Sequence, residues 1–293
     1  MCWTWLSRLD NVPVFYYTTT ADLALICERL EPQLIHSHSP HCFNSSVTVS
    51  INYCLPLVIT LHSTLWVEEL YPLTLLMAKK IIAVGPAQAR VVPKFQSKTV
   101  VIPNGIDLAR FRPKRRFLRS KFKLCWFGRV HGEMAMGAES LNRALAIVRG
   151  HGIYLEAYFL GNAPPIPKEQ FIDLGWLDDP VSVLQRTHVV FGHGRALREA
   201  MACGNVGFLL GAGYGGRVTR ELIGELQHLD AFPQYHLAQA RPERLASDIL
   251  EFVESRRVLS QFQKEARQIA LDYFDVQLMV KGTLSIYEQE TLP

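Results

Sequence analysis

None of the six cysteines (Cys2, Cys27, Cys42, Cys54, Cys125 and Cys203) stands in a C-x-x-C pair. They are scattered through apolar stretches such as KLCWFG and AMACG in a chain of 293 residues. That spacing excludes the dense disulfide framework of a small secreted domain, and the cysteines are expected to be reduced, small and buried. No uninterrupted apolar run approaches the roughly 18–20 residues that span a bilayer. The opening stretch MCWTWLSRLD lacks the basic start, long apolar core and small-residue cleavage site of a signal peptide. The chain is therefore expected to be soluble and cytoplasmic. Strong charge of one sign is also missing: the net charge is +4, small for this length, and by itself it points to neither nucleic acid nor membrane. Short-period repeats and low-complexity tracts are absent too.

What is present is an ordinary globular composition, 48% hydrophobic and 20% charged, at a length that suits two domains. Short β-branched runs alternate with helical patterns. VFYY (14–17) precedes ADLALICERL; QLIHSH follows, then a mixed segment over Phe43–Leu55, LVIT ahead of the stretch Leu65–Ala78, KIIAVG ahead of Pro86–Phe95, and KTVVIP. Strands and helices alternating at this spacing predict β-α-β units and a parallel sheet. The pattern breaks at RFRPKRRFLRSKFK (110–123), basic at eight of fourteen positions and without an apolar face. It then restarts with KLCWFG, a helix over Ala138–Arg149, YLEAYFLG, FIDLG, a short helix near Asp179–Gln185, HVVFG, a helix over Arg195–Cys203, and VGFLLG. Helical patterns over Arg241–Val253, Ser260–Tyr273 and Val276–Glu288 close the chain. The expected organisation is an N-terminal Rossmann-like domain over 1–109, a basic linker over 110–123, a nucleotide-binding Rossmann-like domain over 124–274, and a C-terminal helix over 275–293 that packs back on the first domain.

The most informative stretch is HVVFGHGRALREAMACGN (188–205), in which a buried strand runs into Gly192-His193-Gly194 and a helix starts at once. Ligands of doubly wound sheets bind beyond the carboxyl ends of the strands. Glycines there admit a phosphate close to the backbone, and the first helical turn offers N–H groups to it. Glu199, one turn into that helix, cannot hold a diphosphate but can accept hydrogen bonds from ribose hydroxyls. It can equally be an ordinary solvated helix residue. His193 is either a phosphate contact or a loop residue. A second glycine-rich turn, GAGYGG (211–216), follows the next strand and belongs at the same sheet edge.

These segments resemble the family 4 glycosyltransferases, retaining enzymes of the glycosyltransferase B fold. GRALREAMACGN is similar to the family's E-A-M-A-x-G helix, LIHSHS to its I-I-H-x-H strand end, and VITLHST to its T-x-H segment. IIAVGPAQAR resembles its I-x-A-V-S strand and helix, VVIPNGIDLARFRP its I-P-N-G-V-D turn, and WFGRVHGE its G-R-x-x-x-E-K-G loop. The resemblance runs over roughly residues 30–285. It implies two Rossmann-like domains facing across a cleft, and transfer of a sugar from a nucleotide diphosphate sugar to the hydroxyl of a carbohydrate or lipid-linked acceptor. It implies retention at the anomeric carbon and neither metal nor other cofactor. Carried over by motif, His62 and Arg129 are the catalytic candidates. Gly128, Arg129, Gly192, Gly194, Arg195, Ala196, Leu197 and Glu199 bind the donor nucleotide, while Asn104, Gly105, Gly213 and Gly215 shape the hinge and cleft.

Three departures stand beside the resemblance. A second glutamate should precede Glu199 with seven residues between them, and Phe191 occupies that place. The loop lysine is replaced by Met134, leaving His131 or the basic run to compensate. The family's first strand and its glycine-rich loop have no counterpart ahead of VFYY, which reads as an abbreviated N-terminal domain or as a natural chain that begins earlier. A catalytically silent nucleotide- or partner-binding relative is the main alternative, and a sugar-nucleotide epimerase of the same fold another. His36, His38 and His41 form H-x-H-x-x-H, and since strand residues i and i+2 share a face, a metal-dependent hydrolase using His36 and His38 is a third. The run 110–123 reads as a solvated linker, as a peripheral contact with the anionic inner face of a membrane, or, least favoured, as a nucleic-acid contact, since no recognition fold accompanies it. Trp3, Trp5 and Leu6 read as core or as a small membrane-facing patch.

Overall fold

The computed structural model describes residues 12–64, 67–114, 121–162, 166–226, 228–232 and 235–291. Trp3, Trp5, Leu6, and residues 115–120 of the basic run, lie outside the described residues. The chain forms two compact units, residues 1–103 with 281–293, and residues 104–280.

The first unit begins with α1 (Thr20–Leu30), whose start is fixed by a capping box: the Thr19 hydroxyl accepts from the Asp22 amide, and the Asp22 carboxylate accepts from the Thr19 amide. There follow β1 (Ile35–Ser37), α2 (Pro40–Asn52), β2 (Leu57–Leu61), α3 (Val67–Leu70), α4 (Pro72–Met77), β3 (Lys80–Ala83), α5 (Pro86–Arg90) and, after a 3-10 turn, β4 (Thr99–Val101). The strands form one parallel sheet in the order β1-β2-β3-β4. Every residue of β2 is buried, as a central parallel strand requires. Its core gathers Phe43 and Val47 of α2 against Leu57, Ile59, Leu61, Leu75 and Ile81. VFYY is not a strand, contrary to the sequence expectation. No neighbouring strand pairs with it, and Tyr16 is 65% exposed. The segment Phe43–Leu55, which carries no clear helical period, lies largely in α2. Pro40 starts that helix, and Ser46 and Ser50 keep its buried face slim.

The second unit holds β5 (Lys123–Phe127), α6 (Ala135–Gly150), β6 (Glu156–Leu160), β7 (Ile172–Gly175), α7 (Val181–Leu184), β8 (Val189–Gly192), α8 (Gly194–Ala202), β9 (Val206–Leu210), β10 (Tyr214–Arg217), α9 (Arg220–Leu226), α10 (Pro242–Glu254) and α11 (Arg256–Tyr273), and the start of α12 (Val276–Thr291). The last helix carries the chain back into the first unit, where Tyr287 hydrogen-bonds His36. The sheet order is β10-β9-β8-β5-β6-β7, parallel except for β10. The chain leaves β5 toward β6 and β7, then returns to the other side of β5 for β8, so the direction of winding switches between β5 and β8.

Both faces of this sheet are buried, and side chains alternate between two cores with period two. Leu124 and Trp126 of β5 face α6 and α10, while Cys125 and Phe127 face α8 and α11. Phe191 and Phe208 stack at 4.8 Å within the first of these cores. Phe111 and Phe122, from the basic run, are buried in the second and first respectively. Cys27, Cys125 and Cys203 are buried as expected, whereas Cys42 is half-buried and Cys54 exposed; none of these five is bridged. Among the described residues no helix is long and apolar enough to cross a membrane.

Candidate functional site

The parallel strands of the second unit all end at a glycine: Gly128 directly after β5, Gly161 after β6, Gly175 closing β7, Gly192 closing β8 and Gly211 after β9. The reason is steric. A Cβ on Gly192 would lie 2.2 Å from the Phe127 carbonyl oxygen, and one on Gly161 would lie 2.4 Å from that of Gly128. A Cβ on Gly137, in the first turn of α6, would lie 2.3 Å from the Gly211 oxygen. The carboxyl edge of the sheet is thus a bare backbone floor, and its centre is the switch between β5 and β8, where a doubly wound fold places its ligand.

Two loops rise from that centre. In the first, Gly128 has φ +154° and its amide donates to Leu160 (3.0 Å). Arg129 is exposed, with its guanidinium 5.6 Å from the ring centre of Trp176. Asn162 clamps the loop from the side: Oδ1 accepts from the Val130 amide (2.7 Å) and Nδ2 donates to the Val130 carbonyl (3.1 Å). Val130 is buried, so Asn162→Ala leaves both groups without these partners. We expect a loss of about 1–3 kcal/mol of stability, read as a lowered urea midpoint, and a looser Arg129.

In the second loop Gly194 has φ +59°, a left-handed conformation, and donates its amide to Leu229 (2.5 Å). Leu197 bonds back to His193. The amides of Arg195 and Ala196 between them have no protein partner among the described residues and point out of the start of α8. Arg195 Nε donates to Glu199 Oε1 at 2.8 Å, one turn on. The Glu199 side chain is 11% exposed; burial raises its pKa, and the charges of Arg195 and Arg110 oppose the shift. Ala196 and Leu197 face inward, Leu197 fully buried in the core.

Of three further groups here, His193 was singled out in the sequence, whereas Arg198 and Asp230 have no local sequence signal. Arg198 donates to the Asn104 carbonyl (3.1 Å), its Nε is buried with no partner among the described residues, and its guanidinium lies 5.5 Å from the ring centre of Phe274. His193 has Nε2 buried, without a hydrogen-bond partner among the described residues and facing Gly128; burial lowers its pKa, against the pull of Asp230 and the Arg129 backbone. Asp230 lies beside Gly194, its Oδ1 3.1 Å from where a Cβ there would be.

The remaining candidates fall elsewhere. Gly105 lets the 104–107 turn close on Val276, whose Cα a Cβ would meet at 2.3 Å; Ile106 bridges Asp275 there. Gly213 closes the hairpin between β9 and β10 at the same sheet edge, packed on Leu237. Gly215 lies within β10, packed on Leu209, with a packing reason of its own for lacking a side chain. Met134 is 1% exposed and turned into the core against Gly211, so no side chain from that position reaches the loop. His62 belongs to the first unit, directly after β2. His38 Nδ1 lies 3.4 Å from His62 Nε2, and His36 contacts Thr60 Oγ1 through Nε2 at 2.7 Å and the Tyr287 hydroxyl through Nδ1. Both ring nitrogens of His36 are thus engaged by hydroxyl groups. Among the described residues no group of three histidine, cysteine or acidic side chains is placed to hold a metal ion.

Residues 4–110 match the model of Glycosyltransferase Family 4, so the stretch around Glu199 lies outside the matched span. No curated protein matches the sequence. Among solved structures, a glycosyltransferase from Rickettsia africae ESF-5 is similar at TM-score 0.69 and 16% identity, over 92% of this chain and 80% of that one. HepE of Anabaena in complex with UDP is similar at TM-score 0.69 and 20% identity, over 92% and 82%. The sucrose-phosphate synthase of Thermosynechococcus elongatus is similar at TM-score 0.61 and 15% identity, over 92% and 76%. Identities this low carry the fold, and the conclusion they support is that this chain has the glycosyltransferase B fold.

Proposed function

We propose that the protein transfers a sugar from a nucleoside diphosphate sugar to a hydroxyl group on a carbohydrate or lipid-linked acceptor, with retention at the anomeric carbon. The observation that carries this reading is the bare glycine floor between β5 and β8, opening onto the unpaired amides of α8 with the buried carboxylate of Glu199 one turn further on. The donor diphosphate lies on Gly192–Gly194, takes the amides of Arg195 and Ala196, and receives positive charge from Arg129 and Arg195. As the bond from the anomeric carbon to the diphosphate oxygen breaks, these groups hold the growing negative charge, and no metal ion is required. The acceptor oxygen forms the new bond and its proton passes to the departing diphosphate oxygen. Glu199 accepts hydrogen bonds from the ribose hydroxyls, its place held by Arg195. His62 and Arg129 keep their assignment as catalytic residues, and Asn104 and Gly105 theirs as the hinge-side turn. HepE has been solved with UDP and with UDP-glucose, so a uridine nucleotide is the first donor to test here.

The test is calorimetric titration with UDP, GDP, ADP, CDP and dTDP. One nucleotide should bind tightly, and Glu199→Ala should weaken it by roughly 100-fold, since each hydrogen bond to a buried carboxylate contributes about 1.5–3 kcal/mol. No binding to a folded protein, or binding indifferent to the substitution, rejects this donor site.

One further reading has its own observation. Phe191 and Met134, in the places of the family's first glutamate and loop lysine, are both core residues rather than cleft residues. A silent nucleotide-binding relative accounts for both. Release of nucleoside diphosphate from nucleotide sugars separates the two: turnover supports the transferase, binding without turnover the silent relative.

A further inference from the structure

At the amino ends of β8 and β9, the edge opposite the glycine floor, the second unit holds a cavity of about 380 Å³. That volume falls within the range of sites for small molecules. One wall is α11, which presents Arg256, Ser260, Gln263, Lys264 and Arg267. Their spacing of four, three, one and three residues puts all five on one helical face. The other wall comprises His188, the Gly204 turn, Pro113 and Lys114. Four of the lining residues are lysine or arginine, and none is aspartate or glutamate.

The cationic groups are arranged, not merely near. Arg267 is fixed by three backbone carbonyls: Nη1 donates to Phe111 (2.9 Å) and Ala202 (2.7 Å), Nη2 to Leu108 (3.3 Å). Gln263 is held by the His188 carbonyl (3.3 Å), and the Arg256 guanidinium lies 5.6 Å from the ring centre of Phe122. Lys264 is exposed, and the residues one turn to either side of it, Ser260 and Gln268, carry no charge to neutralise it. Gly204, at φ +77°, leaves a stretch of bare backbone in the wall. Gathering Lys114, Lys264 and Arg267 in one concavity raises their mutual repulsion unless an anion enters. Arginine suits the oxygens of a phosphate group in particular, and Leu259 and Pro113 supply apolar flanks for what the phosphate is attached to.

We propose that this cavity binds the phosphate group of a small phosphorylated ligand, at a site distinct from the donor edge. The strand β8 separates the two sites by on the order of 13 Å, four residues at a strand's rise. The shared chemistry, a phosphate ester, is found both in soluble metabolites and in lipid headgroups.

The experiment titrates the full chain, saturated with its nucleoside diphosphate, with inorganic phosphate and in parallel with vesicles of phosphatidylcholine with or without phosphatidate. Binding is read by calorimetry and by co-sedimentation, on wild type, Lys264→Glu and Lys114→Glu. Both substitutions are on exposed side chains, and circular dichroism checks that the variants fold. We expect binding of inorganic phosphate that persists with the nucleotide present and weakens roughly tenfold or more in each variant. Glu199→Ala, tested without nucleotide, should bind phosphate at this cavity as wild type does. Binding of phosphatidate vesicles alone, lost in the same variants, supports the site and assigns the phosphate to a lipid. No binding of either probe, equal binding by wild type and the charge reversals, or displacement of phosphate by the nucleotide overturns the proposal. Nucleotide binding that depends on Glu199 is scored separately, so failure here and failure at the donor edge are distinguishable.

Discussion

Alanine at position 192 will destabilise the second unit by about 3 kcal/mol or more, or prevent it from folding. The added methyl would stand 2.2 Å from the Phe127 carbonyl oxygen, and that oxygen belongs to the neighbouring strand. A flexible side chain would swing away, but a strand paired on both sides moves only by breaking its ladder. Gly192 pairs with Phe127 on one side and with Leu209 on the other. The control is Gly224→Ala, on the exposed face of α9 with nothing within 4 Å of its new methyl. That change should be neutral or stabilising by about 0.5–1 kcal/mol, because alanine is the better helix former. Urea unfolding followed by circular dichroism compares them. Equal midpoints for the two variants would show that β5 and β8 do not approach as described.

The second large effect is on acid stability of the first unit. His36 has its pKa pushed down from 6.5 to about 3, chiefly by burial and then by the neighbouring charges of His38 and His62; those two are lowered as well, mainly by burial. A base whose folded pKa is depressed binds fewer protons folded than unfolded across the interval. Its contribution is therefore intact above pH 6.5 and is lost as pH falls toward 3. One such group changes stability by up to about 1.4 kcal/mol per pH unit, and partial exposure of the ring brings this nearer to about 1. Between pH 6.5 and 4.5 the first unit should lose about 2 kcal/mol through His36, and more with His38 and His62. His36→Asn should flatten the slope, whatever it does to stability at neutral pH. Hydrogen exchange at the β1 and β2 amides reads the unit directly. A slope unchanged by the substitution would mean that His36 is not the group that titrates.

These effects trace back unequally to the linear sequence. The nine parallel strands could be placed because they are short runs set between helical patterns; β2, β5, β8 and β9 are apolar and buried along almost their whole length, and most of the nine run into a glycine or proline. VFYY has the same local character yet pairs with nothing, since strand formation depends on a partner that composition does not reveal. The helix α2 went unread for the converse reason. Its Ser-Ser-Val-Thr-Val-Ser centre favours extended backbone, and packing of Phe43 and Val47 on the sheet overrides it. YGGR gave no strand signal, and β10 forms by hairpin return along β9, anchored by the Tyr214 hydroxyl on Asp248 (2.5 Å). At the candidate site, the glycines and the start of α8 were legible because they are contiguous. Arg198, Asp230 and Asn162 were not: each acts on a residue some thirty or more positions away, which only the folded chain brings near. Asn162 left one faint trace, a polar residue directly following a strand-terminal glycine.

The row of strand-end glycines also sets how the protein can change its chemistry over generations. Substitution at Gly128, Gly161, Gly192 or Gly211 confronts neighbouring atoms or a positive φ, so the floor is closed to variation by geometry before any selection on activity. The rim is not: Arg129 and Trp176 are exposed, with the guanidinium of one over the ring of the other. A mutational library directed at the rim should yield folded proteins at high frequency, while one directed at the floor should yield few that fold at all. New specificities in this architecture are reached by redecorating an opening whose base cannot move.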